Sequence, residues 1–287
     1  METFQAGTVK DIGRCRQFFD MMCSARHCVA FTGAGVSAPS GLPCFRDGQG
    51  GPSPQGETAA EIEHMVRGFF GPGDEPSWEE LFSIETFERD PALFYEKAGP
   101  LLYHTRKPSV VHEVLADLEK QGVVKAVITQ NVDMLHQSAG SARVIELHGS
   151  PVFHYCLRCA GIRMPFAAVK AIVSAKIPAA EKTSAETSMP LCPSCGRPLK
   201  PAVTLYGEPL PMEARREAEA EAGAADLMLV LGTSLAVYPA ADIPRTVLRR
   251  GGRIVIVNRQ DTILDDAAAL RFRDLEDVFS ALRGGAF

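Results

Sequence analysis

Two CxxC pairs, Cys156 with Cys159 and Cys192 with Cys195, carry the most specific spacing in this 287-residue chain. Two short knuckles holding four sulfurs about 2.3 Å from one ion make a closed tetrahedral zinc site. Both "YCLRCAG" and "LCPSCGR" place a glycine soon after the second cysteine, as tight metal-binding turns require. One pair alone could be a redox dithiol, whereas two together read as structural zinc. Four thiolates leave no open position for a metal-bound water, so the ion is expected to be scaffolding. Cys15, Cys23, Cys28 and Cys44 lie in apolar or loop segments and read as buried or incidental thiols in a reducing compartment.

A second set of polar residues sits where apolar runs end. In "TQNVDMLH" the amides of Gln130 and Asn131 and the carboxylate of Asp133 flank Val132, and in "IELHG" His148 closes the next run. Asn131 and Asp133 are suited to a ligand carboxamide, or equally to capping a helix that begins near Met134. His148 is the natural general base near neutral pH. His136 reads as structural, as do His27, His64, His104, His112 and His154. "FTGAGVSAPSG" sets Gly33, Gly35 and Ala38 at the G-x-G-x-x-G/A spacing, where small residues let backbone amides approach a pyrophosphate. A plain glycine turn is the alternative. A dehydrogenase would show an acidic residue roughly 20 positions further on. Here "GLPCFRDGQGGPSPQG" follows instead, a loop able to fold over a cofactor, with Phe45 and Arg46 as its bulky and cationic groups. "GTSLAVYP" brings Gly232, Thr233 and Ser234, suited to phosphate or ribose, and "VIVN" ends on Asn258, a ribose partner.

The elements that must position these groups alternate. "CVAFT", "VKAVIT", "RVIEL", "DLMLVLG" and "RIVIVN" are short, largely apolar runs that read as buried parallel strands. Helices are expected after Thr8 and over Val111 to Gln121, Met212 to Ala222 and Ala240 to Arg250. The fold class is therefore α/β, a Rossmann-like doubly wound parallel sheet with a small zinc-binding domain and a helical and loop insert. Segments 1–41, 109–151 and 206–287 would form the Rossmann-like domain, 42–108 the cofactor-binding loop with helices in "TAAEIEHMVRGFF" and "PALFYEKAGPLL", and 152–205 the zinc domain. The stretch from Ala175 to Met189 reads as a disordered excursion. With 30 basic against 35 acidic side chains and net charge -5, no basic footprint for nucleic acid is present, while basic protein substrates would suit the surface. No apolar run reaches membrane-spanning length and the first residues lack a secretory layout, so the expectation is a cytoplasmic monomer.

Taken in order, "TGAGVSAPSGLPCFR", "TQNVDMLH", "ELHG", the paired knuckles, "VTLYGEPLP", "GTSLAVYP" and "VIVN" resemble the sirtuins, NAD-dependent protein-lysine deacylases, from about Cys28 to Asp274. The resemblance implies NAD+ as co-substrate, structural Zn2+, and acyl-lysine proteins or peptides as substrates. It implies that Asn131 and Asp133 line the nicotinamide pocket, and that Gly33, Ala34, Gly35, Ala38, Phe45, Arg46, Gln130, Val132, Gly232, Thr233, Ser234, Asn258 and Asp274 belong to the NAD site. His148 becomes the base that helps deprotonate a ribose hydroxyl, after the acyl oxygen has attacked the anomeric carbon and nicotinamide has left. The peptide would add as a strand between "VTLYGE" and "SLAVY", touching Thr204, Tyr206, Gly207, Glu208 and Val237. Thr204 and Tyr206 stand where the family usually has an aliphatic residue and Phe, which makes the acyl tunnel more polar. Members that remove succinyl or malonyl groups carry a Tyr and an Arg three residues later. This chain has Tyr95 but Ala98, which points to acetyl or other neutral acyl groups. A protein ADP-ribosyltransferase and a non-catalytic NAD-sensing module are the alternatives.

Overall fold

The computed structural model describes residues 9–42, 78–103, 106–159, 161–174 and 189–284. The expected cofactor loop with Cys44, Phe45 and Arg46, the helix in "TAAEIEHMVRGFF", His64, His104 and nearly all of the Ala175 to Met189 excursion lie outside these residues.

The chain runs through α1 (Val9–Ser24), β1 (Cys28–Thr32), α2 (Trp78–Leu81), α3 (Ile84–Arg89), α4 (Pro91–Leu102), α5 (Val110–Lys120), β2 (Val124–Thr129), α6 (Leu135–Ala139) and β3 (Val144–Glu146). It continues through β4 (Gly149–Cys156), β5 (Arg163–Pro165), α7 (Phe166–Ser174), β6 (Leu199–Val203), α8 (Met212–Ala224), β7 (Leu227–Leu231), α9 (Ile243–Arg249), β8 (Arg253–Val257), β9 (Leu270–Phe272) and α10 (Leu275–Arg283). Six strands form one sheet in the order β3-β2-β1-β7-β8-β9, and every pairing in it is parallel. The five apolar runs of the sequence are five of these strands. β9, with Arg271 at its centre, is the sixth.

Alternation along the strands explains why those runs are apolar throughout. Cys28, Ala30, Leu227, Leu229, Val255 and Val257 pack with α1, α5 and α10 on one face. Val29, Phe31, Met228, Val230, Ile254 and Ile256 pack with α8 and α9 on the other. A strand covered on both faces has no solvent-facing register, so its sequence loses the period of two. Strand order reverses between β1 and β7, and at such a switch the loops leaving the carboxyl ends diverge and open a crevice.

The second sheet, β5-β4-β6, is antiparallel and lies next to the cysteine cluster. The α4 helix, read from "PALFYEKAGPLL", starts with Pro91 behind an Asp90 side chain that accepts from Leu93 N at 2.9 Å. Proline fits there because the first helical N–H has no partner within the helix. Among the described residues no helix is long and apolar enough to cross a membrane.

Candidate active site at the carboxyl edge of the parallel sheet

The two glycine loops at the switch point interlock. A Cβ on Gly33 would lie 2.7 Å from Thr233 Cβ, and one on Gly35 would lie 2.7 Å from Gly232 Cα. Gly232 itself has φ +59, and its Cβ would meet Val36 N at 2.6 Å. These glycines are thus required by the contact between loops. Several main-chain amides of the loop are engaged within the protein: Gly33 N donates to Leu231 O, Gly35 N to Gly232 O, Val36 N to Gly33 O and Ser37 N to Ala34 O. Two short 3-10 turns, Ala34–Val36 and Ala38–Ser40, stand where a dinucleotide motif opens an α-helix.

Gln130, directly after β2, ties the rim together. Its N–H donates to Thr32 O at 2.9 Å, and its Nε2 donates to Thr233 Oγ1 at 2.9 Å. Its carbonyl lies 2.7 Å from His148 Nδ1. A carbonyl only accepts, so Nδ1 carries the ring hydrogen and Nε2 is left with a free lone pair. Burial lowers the His148 pKa below the usual 6.5, against a smaller opposing effect of the Gln130 bond. The ring is neutral at pH 7.

Asn131 and Asp133 meet at a residue the sequence reading did not single out. Ser37 Oγ donates to Asp133 Oδ2 at 2.6 Å and accepts from Asn131 Nδ2 at 3.1 Å. Asn131 Nδ2 also donates to Gly33 O at 3.1 Å, which leaves its Oδ1 as an acceptor. Asp133 Oδ1 accepts from Leu135 N at 2.9 Å, so the carboxylate caps α6 and faces the site at once. Met134, between them, takes the left-handed conformation at φ 58. Behind Ser37 stands His112 at 3.5 Å, fixed by Ser109, whose N–H donates to its Nδ1 at 3.1 Å. The rings of His112 and His136 lie 4.6 Å apart. Both are fully enclosed, and burial holds His112 down to about 4. Their structural reading holds, although His112 supports the site through Ser37.

The remaining expected residues lie along the same edge. Asn258 is nearly buried and its Nδ2 donates to Gln260 O at 2.9 Å, leaving Oδ1 available. Ser234 follows Thr233 in the β7 loop. Val132 packs partly buried against the helices of the insert. Asp274 caps α10, accepting from Asp277 N at 2.9 Å, so one of its oxygens is committed to that helix.

On the side of the peptide strand, Thr204 N donates to His148 O at 2.7 Å. Tyr206 N donates to Phe82 O at 2.8 Å and Tyr206 O accepts from Ile84 N at 3.0 Å. The main chain of Tyr206 is therefore paired with the insert, whereas at Thr204 it is the N–H that is taken, by His148 O. Glu208 turns inward, accepting from Leu205 N at 2.8 Å. Val237 O accepts from Ala241 N at 2.9 Å. Tyr95 is 3% exposed, and its hydroxyl donates to Leu199 O at 2.5 Å.

The sulfurs of Cys156, Cys159, Cys192 and Cys195 all lie within 4.8 Å of one another, with Cys156 and Cys195 3.6 Å apart. Tetrahedral zinc at 2.3 Å would set sulfurs roughly 3.8 Å apart, so the cluster fits the ion. The thiols differ without a cation. The Cys159 N–H pulls Cys156 down to about 6, while the proton shared with Cys195 pushes Cys159 up to about 12. All four ionise together only around a positive charge.

The sequence model of the Sir2 family matches residues 70–239. An NAD-dependent protein deacetylase of Thermotoga maritima is 38% identical over 261 residues, 90% of this chain and 92% of that protein. The chain belongs to the Sir2 family. An NAD-dependent protein deacylase 2 of Pyrobaculum aerophilum is 40% identical over 93% of this Sir2 chain and 90% of its own length. Among solved structures, Sir2Tm bound to a propionylated peptide superposes with TM-score 0.74 at 34% identity, covering 95% of this chain and 99% of that one. A Sir2 complex with a p53 peptide and NAD+ gives TM-score 0.74 at 36% identity over 94% and 98%.

Proposed function

We propose that this Sir2 chain is an NAD-dependent protein-lysine deacylase, with His148 as the general base: nicotinamide leaves, the acyl group passes to ADP-ribose, and one water is consumed in releasing free lysine. The observation that carries the assignment of the base is the bond from His148 Nδ1 to Gln130 O at 2.7 Å. It fixes the tautomer with Nε2 unprotonated, in a ring that burial keeps neutral.

Bound NAD+ supplies an anomeric carbon carrying a cationic leaving group, and the protein supplies the surroundings. Asn131 Oδ1 and the Asp133 carboxylate, both oriented by Ser37, accept the N–H groups of a carboxamide. Thr233 and Ser234 would hold the sugar and phosphates beside the interlocked glycines, and Asn258 Oδ1 would accept from the adenosine ribose. His148 Nε2 takes a proton from a ribose hydroxyl. A loop bearing Phe45 and Arg46 would exclude water from the cationic centre. The four cysteines hold zinc as scaffold. Gly207 and the β7 loop near Val237 receive the peptide as a strand.

The acyl group is neutral, acetyl being the simplest. The Tyr95 hydroxyl is spent on Leu199 O, and Ala98 is fully buried with no cation to offer. A chain of net charge -5 suits basic lysine-bearing peptides better than acidic ones.

His148→Ala tests the reading. Deacylation should fall by a factor of about 10² to 10⁴ while NAD affinity stays within a few-fold. Unchanged turnover would remove the base assignment. ADP-ribose transferred to protein with no free lysine formed would replace the deacylase by a transferase.

A further inference from the structure

Among the described residues, Lys200 is the only Asp, Glu, Lys or Arg that is buried, at 1% exposure. Enclosing an ammonium is costly unless its hydrogens all find acceptors, and here they do. Lys200 Nζ donates to Val203 O at 2.7 Å, to Pro201 O at 3.2 Å, and pairs with Glu208 Oε2 at 2.8 Å. The Tyr155 ring lies 5.5 Å from the ammonium. No step of the proposed chemistry uses this cation.

Its effect is on the main chain that follows β6. Glu208, held by Lys200, accepts from Leu205 N at 2.8 Å, while Glu208 N donates to Leu205 O at 3.0 Å. Both main-chain groups of Leu205 are consumed within the turn. Those of Tyr206 are consumed by Phe82 and Ile84, and Thr204 N by His148 O. Gly207 is the first residue after this run whose main chain has no hydrogen-bond partner among the described residues. An incoming strand pairs wherever main-chain donors and acceptors are unspent.

We propose that Lys200 and Glu208 are positioning residues for the peptide substrate: their ion pair folds the turn so that Leu205 is closed to an incoming strand and Gly207 is offered to it. Without the pair, Leu205 N is released, the turn opens, and a peptide meets a second edge two residues out of place. The proposal rests on the deacylase reading. It adds a device that acts on the peptide and leaves the dinucleotide alone.

Steady-state kinetics of Lys200→Met, Glu208→Gln and the double variant, with an acetyl-lysine peptide and NAD varied separately, decide it. Lys200→Met should raise the peptide KM tenfold or more, with kcat and the NAD KM within about twofold of the wild type. Glu208→Gln keeps an acceptor but loses the charge and should raise the peptide KM two- to fivefold. The double variant should be no worse than Lys200→Met, because the two residues act as one unit. A role in stability alone would lower kcat through loss of folded protein and leave the peptide KM unchanged, and that result overturns the proposal. If Lys200→Met does not fold, Glu208→Gln decides by the same criterion. A wild-type chain that releases no lysine overturns the deacylase reading and the proposal with it. An active wild type with variants of unchanged peptide KM overturns the proposal alone.

Discussion

The proposed role of His148 as a base rests on two small facts that agree: its Nδ1 hydrogen is committed to Gln130 O, and burial disfavours its charged form. A base must be unprotonated to act, so the acid limb of the rate profile should fall at lower pH than a free imidazole's value near 6.5. The activity is then flat from pH 7 upward until some other group titrates. A profile of kcat/KM whose acid limb lies above pH 7 would mean that the ring is held protonated, contrary to its surroundings. The same sign applies to stability at His112 and His154, both held down to about 4 by burial. Their folded-state pKa lies below the unfolded one, so their contribution is complete above pH 6.5 and is lost as pH falls toward 4. Denaturant unfolding followed from pH 7 to pH 4 should show a loss of a few kcal/mol, and a flat curve would contradict the neutral burial of these rings. The position of His148, Asn131 and Asp133 at the sheet's carboxyl edge was legible because they follow apolar runs, and a strand end is where ligands of such sheets bind. Ser37 was not. A serine in a turn has no spacing that marks it, and its partner Asp133 lies 96 positions away.

At the scale of elements, the junction between β3 and β4 decides where His148 stands. Gly149 has φ +70, and a Cβ there would lie 2.2 Å from Ala202 O. Gly149→Ala should cost more than about 3 kcal/mol in urea unfolding, since it combines left-handed strain with a backbone clash. A loss under 1 kcal/mol would mean that β4 and β6 can separate at no cost. The cysteine cluster makes a second claim at this scale. Zinc should be present at one equivalent per chain and its removal should unfold the small sheet, while zinc added in excess should not raise turnover. Activity that tracks free zinc would show the metal to be part of the chemistry. β1, β2, β7 and β8 were readable because burial on both faces leaves a continuous apolar run. β9 spans only Leu270–Phe272 with a charged centre, and so carries no such signal. The G-x-G spacing was readable as a turn but not as 3-10 turns. Its conformation is set by contact with Gly232, far along the chain, rather than by its own sequence.

Across the whole molecule, the strand reversal between β1 and β7 brings the loops of five strands to one rim, and the small sheet is joined to that rim through His148 O and Thr204 N. The proposed nucleotide and peptide sides of the cleft would therefore share a backbone connection at His148 itself. The most direct measurement is mass analysis of peptide and nucleotide after incubation with acetyl-lysine and succinyl-lysine peptides, each with and without NAD. The account predicts free lysine, nicotinamide and O-acetyl-ADP-ribose in equal amounts, only with NAD, and faster from the acetyl peptide than from the succinyl one. Free lysine without NAD, or nicotinamide released while the acetyl group stays on the peptide, would contradict it.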